Sequence, residues 1–154
     1  MKQYLIDTFR FNDFANRNMI KKIGELKEQD ESIRYISHLI NSQIKWLARI
    51  NEFPNNPNLD WWLPLYTLEE LEIAWEKSVN AWITFIESKT EDELFEGAKF
   101  VGWDGTHWSA PLKDIALQLN YHSFHHRAQI QVIIRSQGVE PDFIDYIGTK
   151  YTKL

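Results

Sequence analysis

The sequence predicts an all-α protein built as a four-helix bundle. Three observations predict it. Four segments of about 20 residues repeat their apolar side chains at helical spacing. Polar, proline-bearing or turn-forming stretches separate them. The chain has 154 residues, 44% of them hydrophobic and 14% aromatic, enough for one sizeable core. No internal repeat and no second domain is legible, so residues 1–154 read as one unit.

The first helix is expected from Asp7 to Leu26, "DTFRFNDFANRNMIKKIGEL", with Asp7 as its cap. The second is expected from Ser32 to Ile50, "SIRYISHLINSQIKWLARI". A polar loop with prolines follows, "NEFPNNPNLDWWLPLY". The third helix opens on "TLEE", where Thr67 and Glu70 stand at capping-box spacing, and runs to Ser88. The stretch "FVGWDGTHW" then alternates around Asp104-Gly105, a hairpin turn signal, and forms a short excursion before the last helix. That helix is expected to start near Ser109 with Pro111 in its first turn, and to stop at a left-handed Gly138 with Pro141 beyond. The tail "DFIDYIGTKYTKL" carries aromatics and is expected to pack back on the body. The connections before and after the third helix are long, so either can cross an end of the bundle.

Composition narrows the function classes. The absence of cysteine excludes a disulfide framework, a thiolate metal site and a cysteine nucleophile. Formal net charge is −5, with no basic block or basic helix face, so no nucleic-acid partner is expected. No apolar run reaches membrane-spanning length, so no membrane partner is expected. The opening "MKQYLIDTFRFND" is a poor signal peptide, which makes the cytoplasm the expected compartment.

The histidines carry the functional signal. "LNYHSFHHRAQI" holds three of the chain's five. At roughly 100° per residue, His122 and His126 fall in the stripe formed by Leu112, Ile115, Leu119, Ile130 and Ile133. His125 falls on a different face. Two imidazoles one turn apart on a buried face can chelate one divalent ion. The bland alternative is a pair of core histidines held by hydrogen bonds, in which each ring nitrogen still needs a partner. A third ligand has to come from another helix. His38 lies at the edge of the stripe made by Ile36, Leu39, Trp46 and Ile50, whereas His107 sits in the hairpin and is expected to be exposed. Three histidines would leave positions open to water or substrate.

No recognisable reaction signature accompanies them. Ser123 follows His122, so there is no "HExxH" base. Asp114 and the other carboxylates form no acid–base pair by spacing. There is no nucleophile elbow and no phosphate-binding glycine loop. Trp46, Trp61 and Trp62 could wall a pocket or be ordinary core. A second apolar face on the last helix, Leu117, Tyr121, Phe124, Ala128 and Val132, needs a cover. The tail or the hairpin could supply it, or a second copy of the chain in a homodimer.

"HLINSQIKWL" followed far downstream by "NYHSFHHRAQIQVIIRSQGVEPDFIDY", with "RFNDFANRNM" near the N-terminus, resembles the DinB/YfiT-like superfamily of metal-binding helical bundles. The resemblance spans Phe9 to Tyr146 and is most specific in the last helix. It implies an up-down-down-up four-helix bundle, often dimeric. It also implies a divalent metal ion, nickel or zinc, on three histidines, one from the second helix and two from the last. Matched motif to motif, these are His38, His122 and His126. Ala128 departs from the glycine that many members carry after the arginine, a small-for-small change. The implied activities include S-transfer with low-molecular-weight thiols such as bacillithiol or mycothiol, and thiol-dependent isomerisation or hydrolysis.

Three functions therefore compete. One is a metal-dependent enzyme, either a thiol S-transferase using a small-molecule thiol cosubstrate or a hydrolase. Another is a non-catalytic metal or small-molecule binding protein of a stress response. The last is a structural helical dimer with buried histidines.

Overall fold

A computed structural model of the chain describes residues 1–55 and 60–153. Its elements are α1 (Lys2–Ile23), α2 (Asp30–Asn51), α3 (Leu68–Glu87), a short α4 (Glu91–Phe95), strands β1 (Gly97–Val101) and β2 (His107–Pro111), α5 (Leu112–Ser136) and a 3₁₀ turn (Ile147–Lys150). Part of the polar loop expected after α2, residues 56–59, lies outside the described residues.

The helix starts show where local signals governed and where they did not. Thr67 and Glu70 form the expected capping box at α3, with the Thr67 amide donating to Glu70 Oε2 at 2.9 Å. The start of α1 differs. The helix begins at Lys2 rather than Asp7, because Leu5 and Ile6 belong to the buried core face. Asp7 sits inside the helix and accepts from Gln3 Nε2 at 3.0 Å. The cap comes from far along the chain. Glu91 of α4 accepts the Lys2 amide at 3.0 Å and pairs with the terminal ammonium at 3.2 Å. A carboxylate at a helix N-terminus is favoured by the orphan amides and the dipole.

Sequence reading did not anticipate α4. It has its own capping box, Thr90 with Glu93, whose spacing was readable in "TEDE". The start of α5 also needs correction. Ser109 to Pro111 pair with Gly97 to Lys99 in the hairpin, so the helix begins at Leu112, three residues later than expected. Pro111 ends the strand and serves as N-cap, where its missing N–H costs nothing. The hairpin turns at Gly105, φ +80°, and α5 ends at Gly138, φ +78°, both left-handed. At that end Gly138 donates to Arg135 O (3.0 Å) and Val139 to Ile134 O (3.3 Å), a Schellman closure.

Cross-helix contacts fix the directions. Ser37 of α2 meets Tyr66 just before α3, and Gln43 meets Trp82, so α2 and α3 run parallel. Arg17 pairs with Glu72 and Glu76, while Lys2 reaches Glu87, so α1 and α3 are antiparallel. Thr8 meets Asn120 and Asn16 meets Ser123, so α1 and α5 are parallel. The bundle is therefore up-down-down-up, and the stretch after α2 runs back along that helix, past Lys45, Asn41 and Ser37, to reach the start of α3. Neighbours around the ring are α1–α3, α3–α2, α2–α5 and α5–α1.

The core fills with Phe9, Trp75, Trp82 and aliphatic side chains from all four long helices. Phe9 stacks on Trp82 at 5.7 Å. Both indoles find acceptors: Trp75 on Asp13 at 3.1 Å, Trp82 on the Gln43 carbonyl at 2.9 Å. The tail is only partly packed. Ile144 touches the core and Tyr146 meets Phe11 edge-on at 5.2 Å, but Phe143 and Tyr151 are exposed. No helix among the described residues is long and apolar enough to cross a membrane.

Candidate metal centre

α2 and α5 are antiparallel neighbours, and their contact brings His38 against His122 and His126. His38 and His126 are each 7% exposed, and His122 is half-buried. His122 Nε2 lies 3.0 Å from His38 Nε2 and 2.9 Å from His126 Nε2. The three rings meet nearly edge to face.

The outer nitrogens explain why the rings point inward. His38 Nδ1 lies 2.9 Å from the Trp61 carbonyl oxygen, and His126 Nδ1 lies 2.5 Å from Gln129 Oε1. Both oxygens can only accept, so both Nδ1 atoms carry the proton. The Nε2 atoms of His38 and His126 are then bare lone pairs, and both face His122 Nε2. A single proton on His122 Nε2 cannot satisfy both well. With that proton on Nδ1 instead, three lone pairs confront one another. A cation among them removes the conflict. For metal–nitrogen bonds of about 2.0–2.1 Å, adjacent donors lie about 3.0–3.4 Å apart, so ligation needs only small adjustments. The three donor atoms all lie within 4.8 Å of one another, and this group could hold a metal ion.

The surroundings keep the donors neutral. Burial lowers the pKa of His122 to about 4, with the neighbouring histidines adding to the shift. Burial likewise lowers His38, with Arg34 contributing, and lowers His126 against the opposing hydrogen bond to Gln129. Neutral imidazole is the form that ligates metals. Among the described residues no carboxylate hydrogen-bonds to any of the three rings.

The loop after α2 roofs the centre. Trp62 stacks on His38 at 4.0 Å, the Arg34 guanidinium lies over the Trp62 ring at 4.5 Å, and Tyr35 stacks on His126 at 5.1 Å. A row of polar residues on α2 straps this loop down. Ser37 Oγ accepts the Tyr66 amide (3.1 Å), Asn41 donates to Pro64 O (2.9 Å), and Lys45 donates to Leu63 O (2.9 Å) and to Asp60 O. Of the three tryptophans considered from sequence, Trp62 walls the centre. Trp46 instead packs against Phe100 at 5.1 Å, where Arg49 of α2 also stacks.

His125 is exposed, one residue off the cluster, and His107 is exposed on the hairpin against Phe53. Sequence reading did not identify the Trp61 carbonyl or Gln129 as partners of the outer nitrogens. Gln129 carries a readable signal, three residues after His126 on one helix face. The Trp61 carbonyl carries none. The apolar groove of about 650 Å³ between α2 and α3, walled by Ile44, Leu47 and Ile73, contains none of the histidines. Donor chemistry rather than cavity size locates the centre.

A model of the DinB family matches residues 10–153, nearly the whole chain, and the chain belongs to that family. No curated protein and no solved structure matches it. Family membership and the three-histidine cluster together are compatible with a metal-binding protein.

Proposed function

We propose that this DinB-family chain is a metal-dependent enzyme holding one divalent ion, nickel or zinc, on His38, His122 and His126. The observation that supports it is the convergence of three Nε2 atoms whose companion nitrogens, on two of the rings, are already committed to oxygen acceptors. A divalent ion there supplies Lewis acidity to a water or thiol at its open positions. The chain's own groups set the stage. Trp61 and Gln129 fix two rings, Trp62 and Tyr35 exclude water from two sides, and Arg34 adds positive charge. Three neutral donors leave the charge of a divalent ion unbalanced, which favours an anionic cosubstrate such as a thiolate. The reaction class we assign is S-transfer from a low-molecular-weight thiol, or hydrolysis. The chain's lack of cysteine is consistent with a thiol that arrives as cosubstrate.

Elemental mass spectrometry of the untagged protein is expected to find about one nickel or zinc per chain. Turnover in a panel of thiols and electrophiles is expected to vanish in His122→Ala. No retained metal after reloading with several divalent ions would sink the reading. The second reading, a non-catalytic metal-binding protein, is favoured by the absence, among the described residues, of a carboxylate hydrogen-bonded to the rings. Metal retention with no turnover across the panel would select it.

We further propose that two copies associate through the second face of α5. Tyr121, Phe124 and Val132 are 63%, 67% and 65% exposed there, and the tail leaves them uncovered. Sedimentation velocity is expected to show a dimer that Val132→Glu dissociates. A wild-type monomer at micromolar concentration would refute it.

A further inference from the structure

On the side of α5 away from the histidines, a buried cation lacks a counter-charge. Arg127 is 7% exposed. Its Nη1 donates to Asn12 Oδ1 and, at 3.2 Å, to Ser123 Oγ, both neutral. Among the described residues it has no carboxylate partner, and Nε and Nη2 have no protein acceptor. Phe11 and Phe124 lie 5.7 Å from the guanidinium carbon. Asn12 is also buried. Its Oδ1 is taken by Arg127 and Asn16, which leaves Nδ2 an unpartnered donor. Beside these groups α1, α5 and the tail border an open cavity of about 340 Å³, with Asn12 and Arg127 in its lining and Phe11, Tyr121, Phe124 and Tyr146 among its walls.

Buried charges are ordinarily paired, and an unmatched guanidinium in a largely apolar setting is costly. We propose that this cavity binds a small organic carboxylate with an apolar body. Its carboxylate meets the Arg127 fork beside Asn12, and its body lies among Tyr121, Phe124 and Tyr146. The planar fork of Nε and Nη2 suits a carboxylate's two oxygens better than a point charge would. The aromatic walls favour an aryl or alkyl group over a sugar or a polyphosphate. The volume limits the ligand to a small one. The site is independent of the metal centre and of the reaction assigned to it.

The test titrates metal-stripped His122→Ala protein with sodium benzoate by calorimetry, so that benzoate has no metal to coordinate. Benzamide and inorganic phosphate serve as controls. Benzoate is expected to bind with Kd on the order of 1 mM or tighter. Benzamide, which lacks the charge, is expected to bind at least about tenfold more weakly. Arg127→Met on this background is expected to abolish binding. Should that variant fail to fold, the rim variants Phe124→Ala and Tyr121→Ala decide, each compared with its parent at a concentration where sedimentation shows monomer, so that the proposed dimer face does not contribute, and each expected to weaken binding about three- to tenfold. No binding at about 20 mM benzoate, equal binding of benzamide or phosphate, or indifference to both rim variants overturns the proposal. Benzoate that instead converts a dimer to monomer in sedimentation also overturns it, by identifying a carboxylate of a second copy as the occupant.

Discussion

The two buried faces of α5 carry polar clusters of opposite need. Toward α2, three imidazoles turn their Nε2 atoms at one another, two of them anchored from behind by oxygen acceptors and presenting bare lone pairs. Toward α1, a guanidinium is held by an amide oxygen and a hydroxyl, with no carboxylate partner among the described residues. The first cluster lacks a positive charge and the second a negative one. Both sit on one helix, one residue apart in sequence at His126 and Arg127, and the 100° step between neighbours sends them to different seams. A buried polar group left incomplete is destabilising, and the identity of the missing charge indicates what each seam accepts.

Breaking the imidazole side gives the largest expected effect. His38→Ala should reduce bound metal from about one ion per chain to near zero, because two histidines on one helix remain as a weak chelate. His125→Ala, off the cluster, should leave metal content unchanged, and elemental analysis of both variants reads the difference. Loss of metal in both would mean that α5 as a whole, not the triad, governs retention.

Breaking the guanidinium side should cost stability instead. Asn12→Ala removes the oxygen shared by Arg127 and Asn16 and is expected to destabilise by about 2–3 kcal/mol, since it strands a buried charge. Denaturant unfolding measures it, with metal content as the unaffected control.

Two subtler changes sharpen the contrast. Gln129→Ala leaves all three donors in place but frees His126 to rotate, so metal affinity should fall about 10- to 100-fold. Competition with a chelator reads that loss, and an unchanged affinity would make Gln129 a bystander. The pH dependence has a definite sign. In metal-free protein the His122 pKa is lowered from 6.5 to about 4. Above 6.5 both folded and unfolded chains are neutral at this residue, and stability is full. As pH falls from 6.5 toward 4 the unfolded chain takes up the proton first, so stability drops. Melting temperatures across that window should decline in metal-free wild type and less steeply in His122→Ala. Parallel declines would assign the acid sensitivity elsewhere.

Local patterning alone fixed a good deal of this molecule. Periodicity marked the four long helices, "TLEE" placed a cap that formed as spelled, and Asp104-Gly105 and Gly138 marked a turn and a stop, because each depends on residues within one turn of chain. The wheel also set His122 and His126 on one face and His125 on another, since a helix's angular step does not depend on its surroundings. Tertiary packing decided the rest. α1 begins at Lys2 because Glu91, far along the chain, caps it. Ser109 to Pro111 are strand because Gly97 to Lys99 pair with them. His38 could be placed only at a rim until the antiparallel contact of α2 with α5 set its ring against the other two. The Trp61 carbonyl, a backbone atom, bears no mark in the sequence. That Arg127 is a buried cation with no anionic partner among the described residues emerges only when α1 closes over it, because burial and missing partners are properties of the assembled seam and not of the residue.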